Sequence, residues 1–191
     1  MAEWVSTGFN TYSVPAGTRI ACLRYGNVLG SRGSVVHIWR QAIERGEPLP
    51  LTDPGATRFI ITMDQAVAAV RRSLQEMSGG EIFVPKLPWA FVEDIGRAMV
   101  GIQVDSPFQI IGLRPGGEKI HEALLSDEER HRCADTTQAY VVIPSVRSWG
   151  GEGWTKGKPA PPYASGSPHV PRMLPSHLRP LIDAVPEGGL F

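Results

Sequence analysis

The residues best suited to chemistry gather where apolar runs break into polar corners. Residues 24–36 read RYGNVLGSRGSVV. An asparagine, two serines, an arginine and three glycines stand between a strand-like run and a helical one. Gly30 and Gly33 allow close backbone approach, and Ser31, Arg32 and Ser34 sit where a helix starts and its free N–H groups favour an anion. The stretch is neither a Walker motif nor the usual dinucleotide fingerprint. Two readings stay open: a plain strand-to-helix turn with Ser34 as N-cap, or a surface that holds something anionic. Arg58, in GATRFIIT, precedes a β-rich run. Arg114, in IIGLRPGGEK, follows another strand-like run at a Gly-rich turn. Either arginine alone reads more readily as a solvated strand-end residue than as a phosphate clamp. Arg32, Arg58 and Arg114 at three strand ends of one sheet make a shared phosphate-binding rim the better reading.

Other side chains offer less. His37, His121, His131, His169 and His177 lack metal-ligand spacing, and Cys22 and Cys133 are too few for a disulfide framework or a zinc site. His121 and Glu122, in a helix after the Gly turn, could serve a site but read better as surface residues. Trp154, Lys156 and Lys158 read as part of a solvated run. No nucleophile signature is present.

Positioning the arginines requires alternating strands and helices. Trp4, Val5 and Phe9 predict one apolar helix side over residues 2–12, and RIACLRY (19–25) predicts a buried strand. Val35, Ile38, Trp39, Ala42 and Ile43 recur at helical spacing up to Gly46, a residue suited to ending a helix. Extended pieces follow at 48–52 and 57–62. Thr62 and Gln65 then fit a capping box opening a helix whose buried stripe is predicted to be Val67, Val70, Leu74 and Met77. EIFVP (81–85) predicts a strand, FVEDIGRAMV (91–100) a helix with Phe91, Ile95 and Met99 inward, and FQIIGL (108–113) a buried strand. RPGGEKIHEALLSDEE predicts a loop entering a helix, and 174–185 a short last helix. Such alternation predicts an α/β fold with parallel pairings, whose ligands bind at the carboxyl ends of strands.

The whole composition is that of an ordinary globular chain: 191 residues, 42% hydrophobic, 20% charged, with Lys+Arg and Asp+Glu equal at 19 each. The balance gives no general argument for nucleic acid or an anionic membrane, and no apolar run approaches membrane-span length. Residues 1–12 lack the features of a signal peptide, so the expected location is cytoplasmic. Residues 144–173, rich in Pro and Gly, predict a disordered or irregular segment.

RYGNVLGSRGSVV, LTDPGATRFIIT, GGEIFVPK and IIGLRPGGEKIHE, in this order, resemble the later portion of the nucleotide-sugar 4,6-dehydratases of polysaccharide biosynthesis. These are extended short-chain dehydrogenase/reductases acting on UDP-N-acetylglucosamine, and include the inverting enzymes of flagellar glycan synthesis. The resemblance spans residues 1–143. It implies an incomplete Rossmann-type fold: a substrate-binding portion at 1–143, an irregular segment at 144–173, and a short helix and tail at 174–191. It implies a lyase that binds NADP when full-length, oxidises the sugar C4 hydroxyl, eliminates water and returns the hydride. The family's glycine-rich cofactor loop and Tyr-x-x-x-Lys pair do not occur here, and Tyr12 and Tyr25 lack a lysine four residues on. The catalytic pair is expected upstream of Met1, so no catalytic residue, no NADP binding and no dehydratase activity are expected of this chain alone. The alternatives are a non-catalytic UDP-sugar-binding or oligomerisation module, and a nonfunctional gene remnant.

By the same resemblance, Asn27, Ser31, Ser34, Thr52, Arg58, Arg114 and Glu118 would contact the nucleotide sugar, and Gly30 and Gly33 would line its junction with the cofactor. The family reads Arg-Pro-Gly-Glu-Lys where this chain has an extra glycine at Gly116-Gly117, which shifts Glu118 away from Arg114. Tyr163 in PYASGSP is a weak match to a family Tyr-Ser-Ser-Asp pattern. The expected partner is UDP-N-acetylglucosamine, with neither nucleic acid nor membrane, and a homo-oligomer or a missing N-terminal half is expected to cover sheet surface.

Overall fold

The computed structural model describes residues 2–101, 107–113, 116, 118–149 and 153–187. Arg114 lies outside them. In chain order the elements are α1 (Ala2–Gly8), α2 (Asn10–Ser13), β1 (Cys22–Leu23), β2 (Asn27–Val28), α3 (Val35–Arg45), β3 (Leu49–Leu51), β4 (Thr57–Ile61) and α4 (Met63–Glu76). They continue with β5 (Ile82–Pro85), β6 (Trp89–Phe91), α5 (Val92–Val100), β7 (Phe108–Ile110), α6 (Asp127–Arg130), β8 (Cys133–Asp135), β9 (Ala139–Val142) and α7 (Pro175–Asp183). The architecture is the mixed α/β one expected, with parallel pairings. Two compact units, interleaved in sequence, divide these elements.

The first unit takes Met1–Tyr25, Asp64–Lys86 and Leu124–Tyr163. Its sheet runs β1-β5-β9-β8, with β1 parallel to β5 and the other pairs antiparallel. Phe83, Val141 and Ala134 lie in one cross-strand row and form a buried cluster joined by Leu23, Met77 and Trp154. Asn10, wholly buried, staples α2 to the approach to β1: its amide donates to Thr7 O and Ile20 O and its oxygen accepts from Ile20 N. Arg24, just after β1, is forked between two carboxylates. Its Nε and Nη2 donate to Glu3 at 2.7 and 2.6 Å, and Nη1 and Nη2 to Glu129, both at 2.8 Å. Glu129 is also the closing residue of a capping box with Ser126 that starts α6.

The second unit takes Gly26–Met63, Leu87–Ala123 and Ala164–Phe191. It has a three-stranded sheet β2-β4-β6 and a β3-β7 pair, both with a parallel contact. Its core packs α3, α5 and α7 around Val36, Trp39, Leu49, Leu51 and Leu178, none more than 1% exposed. The Trp39 indole N–H is satisfied by Pro50 O at 2.9 Å. Gly46 ends α3 in the left-handed region at φ 67°, as its position predicted.

Three expectations need correction, and one needs completing. The apolar sides of α1 and α4 face outward: Trp4, Val5 and Phe9 are exposed, as are Val67, Val70 and Leu74, and the buried α4 residues are Ala66 and Ser73. Helix spacing marks a stripe without saying what it meets, and small residues allow the closer approach here. The strand at 108–113 is not buried, because β7 pairs with β3 alone and leaves Ile110, Ile111 and Leu113 half exposed. No helix runs through 118–125; backbone bonds draw that stretch out, including Thr57 N to Ile120 O and Ser165 N to Glu122 O, and only Asp127–Arg130 is helical. The segment from 153 to 173 is irregular, yet Ala160, Tyr163, Ser165 and Val170 are buried in it. Local composition predicts irregular backbone without predicting its packing.

Candidate functional site

A cavity of about 360 Å³ opens in the second unit at the end of β2. The chain from Asn27 to Ser34 curls around it, and α3 points its N-terminus at it. The end of β3 adds Pro50, Leu51 and Thr52, β4 adds Arg58 and Ile60, and Glu118 closes one side. Asn27, Gly30, Ser31, Gly33, Ser34, Thr52, Arg58 and Glu118 are therefore brought to one space from three separated stretches of chain. A polar rim faces an apolar floor of Val36, Trp39, Leu51, Ile60 and Ile95, the composition common to small-molecule pockets.

Arg58 is the best-fixed cation in this cavity. Its Nη1 donates to Thr57 O at 2.8 Å and Ile120 O at 3.1 Å, Nη2 to Glu118 Oε1 at 3.3 Å, and Nε lies 3.7 Å from Glu122 Oε1. Carbonyls orient the guanidinium plane, so it presents an edge rather than sweeping solvent. Thr52 Oγ1 also reaches Glu118 Oε1, at 3.4 Å. Burial raises the Glu122 carboxyl above its ordinary range, against the opposing pull of the Arg58 charge.

Beneath Arg58 lies a buried hydroxyl relay. Thr57 Oγ1 donates to Ser165 Oγ at 2.8 Å, and Ser165 Oγ donates to Thr57 O at 3.1 Å while accepting from Glu122 N at 2.8 Å. The single Thr57 proton is thereby used, so His121 Nδ1, 2.8 Å from Thr57 Oγ1, carries the proton of that contact.

Ser34 stands at the N-cap of α3 with extended backbone, but its hydroxyl makes no capping bond. Its Oγ is buried and has no protein partner. This unmet hydroxyl sits beside the free N–H groups of the first turn of α3, where an anion is favoured. The capping role expected from sequence is filled in backbone geometry only. Arg32, beside it, is exposed and lines the same cavity.

The glycines behave unlike one another. Gly30 has φ 78°, and a side chain there would run into the Val185 methyls, so its close approach is to this chain's own C-terminal segment. Gly33, at φ 70°, faces open space. With Val185 against Gly30, and with no Gly-x-x-Gly-x-x-Gly loop or Tyr-x-x-x-Lys pair in the 191 residues, the groups present do not make a dinucleotide site by themselves. Ile60 was not singled out for the site from sequence, and Glu122, which could serve a site, read better as a surface residue. The IIT run and the α5 periodicity marked the apolar floor only as core, and nothing local distinguished Glu122 from a solvated helix residue.

Comparison with known proteins agrees with this architecture. The family described as "Polysaccharide biosynthesis protein" matches residues 1–144. The UDP-N-acetylglucosamine 4,6-dehydratase (inverting) of Campylobacter jejuni is 39% identical over 131 residues, covering 68% of this chain and 38% of that protein. A UDP-glucose 4-epimerase of Rickettsia massiliae is 38% identical over 132 residues, covering 68% and 38%. The X-ray structure of Pen from Bacillus thuringiensis superposes with a TM-score of 0.80 at 26% identity, covering 95% of this chain and 54% of that one. The chain thus spans 38% of the length of these two curated relatives. It belongs to the polysaccharide biosynthesis protein family, with the fold of the extended short-chain dehydrogenases/reductases.

Proposed function

We propose that the second-unit cavity binds the diphosphate and nucleoside of a UDP-sugar, UDP-N-acetylglucosamine by relation to the dehydratases. The observation that carries this reading is the convergence of an oriented Arg58, an uncapped and buried Ser34 hydroxyl, and the α3 N-terminus on one cavity. All three are donors, which suits a diphosphate, and the apolar floor suits a base or sugar face. Asn27, Ser31 and Thr52 extend the donor set, and Glu118 accepts from nucleotide hydroxyls. By the family resemblance, Arg114 would be a second phosphate ligand.

In the dehydratase reading, these 191 residues would hold and orient the nucleotide end of the substrate, and the oxidation chemistry would be supplied by NADP held elsewhere. Because they carry no Tyr-x-x-x-Lys pair, they bind substrate without catalysing its dehydration. The site of action is cytoplasmic, where nucleotide sugars are held. Among the described residues no helix is long and apolar enough to cross a membrane. The outward apolar stripes of α1 and α4 are contact surface for a further copy or a further polypeptide.

Saturation-transfer NMR with UDP-N-acetylglucosamine, UDP and N-acetylglucosamine tests the reading. Saturable binding of both uridine compounds, with none of the free sugar, is expected. A 4-keto-6-deoxy product on adding NADP would overturn the non-catalytic half, and failure of both uridine compounds to bind would overturn the whole.

A further inference from the structure

Ser165 lies outside the lining of the nucleotide cavity, yet three stretches of chain meet on its hydroxyl. It belongs to the irregular 153–173 segment and is only 2% exposed. Its Oγ is used to capacity: it accepts from Thr57 Oγ1 and from Glu122 N, both at 2.8 Å, and donates to Thr57 O at 3.1 Å. Ser165 N also donates to Glu122 O at 2.8 Å, so two bonds join residues that stand 43 positions apart.

Both carbonyls that orient Arg58 belong to this knot. Arg58 Nη1 donates to Thr57 O at 2.8 Å and to Ile120 O at 3.1 Å. Thr57 O is the same atom that accepts from the Ser165 hydroxyl, so both of its lone pairs are engaged. Ile120 O lies in the extended 118–122 stretch. That stretch is held to β4 by Thr57 N, which donates to Ile120 O at 2.8 Å, and to Ser165 through Glu122. It also carries Glu118, whose Oε1 stands 3.3 Å from Arg58 Nη2. Deleting the Ser165 hydroxyl takes a partner from Glu122 N, Thr57 Oγ1 and Thr57 O at once, and shared networks lose more than one bond's worth when a central member goes. Ser165 itself does not reach the cavity, so its influence on a ligand passes through the guanidinium.

We propose that Ser165 is a positioning residue for the anion site, holding Arg58 through Thr57 O and the 118–122 stretch in the orientation that receives a diphosphate. This rests on the nucleotide reading and adds to it a residue of the C-terminal segment that touches no ligand. An arginine not held beforehand must be ordered as the ligand arrives, and that cost offsets part of the contact it makes.

Ser165→Ala in the full chain tests this in two ways. Without ligand, the two Nη nitrogens of Arg58, identified by their loss in Arg58→Ala, should give separate ¹⁵N resonances in the wild type, because a held guanidinium rotates slowly about its Nε–Cζ bond. They should merge in Ser165→Ala. With ligand, Ser165→Ala should weaken UDP about fivefold, the equivalent of roughly 1 kcal/mol. In an Arg58→Ala background the same substitution should change UDP affinity less than about twofold, since the residue it acts through is gone. If Ser165→Ala does not fold, Ser165→Cys, which keeps the shape with a weaker donor and acceptor, takes its place in every arm. Separate Arg58 resonances retained in Ser165→Ala, unchanged UDP affinity, or an equal loss with and without Arg58 (a staple of the fold only) would each overturn the proposal. Should the wild type bind UDP and Arg58→Ala weaken it while Ser165→Ala does not, this inference alone falls. Should the wild type bind no UDP, it falls together with the nucleotide reading.

Discussion

Acid should weaken the first unit in a way that a single amide substitution removes. Glu129 is mostly buried, its side chain 10% exposed, and burial by itself would raise its pKa. Hydrogen bonds from Arg24 and Ser126, with the Arg24 charge, outweigh burial and hold it at about 2 against an ordinary 4.5. A folded value below the unfolded one means stability that is complete above 4.5 and lost as pH falls through about 2. A gap of about 2.5 corresponds to roughly 3 kcal/mol, of which roughly 2.5 kcal/mol disappears between pH 6 and pH 2.5. Glu3 adds to the same trend, since hydrogen bonding to Arg24 lowers it, but at 37% exposure its share is screened and small. Urea unfolding followed by fluorescence in a Trp39→Phe, Trp89→Phe background measures this, because Trp154 packs edge-on against Phe83 in the same unit. Glu129→Gln should be less stable than the wild type at pH 6, and the gap between them should nearly close at pH 2.5. A gap of constant size across that range would refute the account of Arg24 as a charged clasp.

Other expectations follow from single contacts. Gly30→Ala must place a side chain at φ 78° against Val185, and should lower stability by about 1–3 kcal/mol in thermal or urea unfolding, with a loss of UDP binding. Replacing Val70 and Leu74 together by lysine should reduce self-association in sedimentation velocity while leaving the circular dichroism unchanged, since both side chains are exposed. Cys133, its thiol pushed up to about 11 by burial, should resist iodoacetamide at pH 8.

Much of the element order was legible because its signals are local. The helical recurrence from Val35 to Ile43 and the glycine at 46 needed no partner to be read, and α3 runs from Val35 to Arg45. Which way a stripe faces is not local. Val67, Val70 and Leu74 have helical spacing whether they meet a sheet or the outside, and the small residues Ala66 and Ser73 take the inner side. The 118–125 stretch has helix-compatible residues, but bonds to Thr57 and Ser165, some sixty and forty residues away, hold it extended. The cavity has the same character. Arg58 alone reads more readily as a solvated arginine, and only the resemblance joined it to Asn27, Ser34 and Thr52. The unpartnered Ser34 hydroxyl was invisible from sequence, because a serine at a helix start reads as a cap.

The measurement that tests the central claim most directly is calorimetric titration of UDP into the wild type, Arg58→Ala and Lys156→Ala. On the proposed reading, a charge-assisted contact from Arg58 to the diphosphate would be worth on the order of 1.5–3 kcal/mol. Removing it also leaves Glu118 without the cation that stands 3.3 Å from it, so that carboxylate then repels the diphosphate. Arg58→Ala should therefore weaken UDP about tenfold or more. Lys156, exposed in the irregular segment, should bind UDP as the wild type does when replaced by alanine. Wild-type binding that Arg58→Ala leaves unchanged would contradict the nucleotide-diphosphate reading of the cavity.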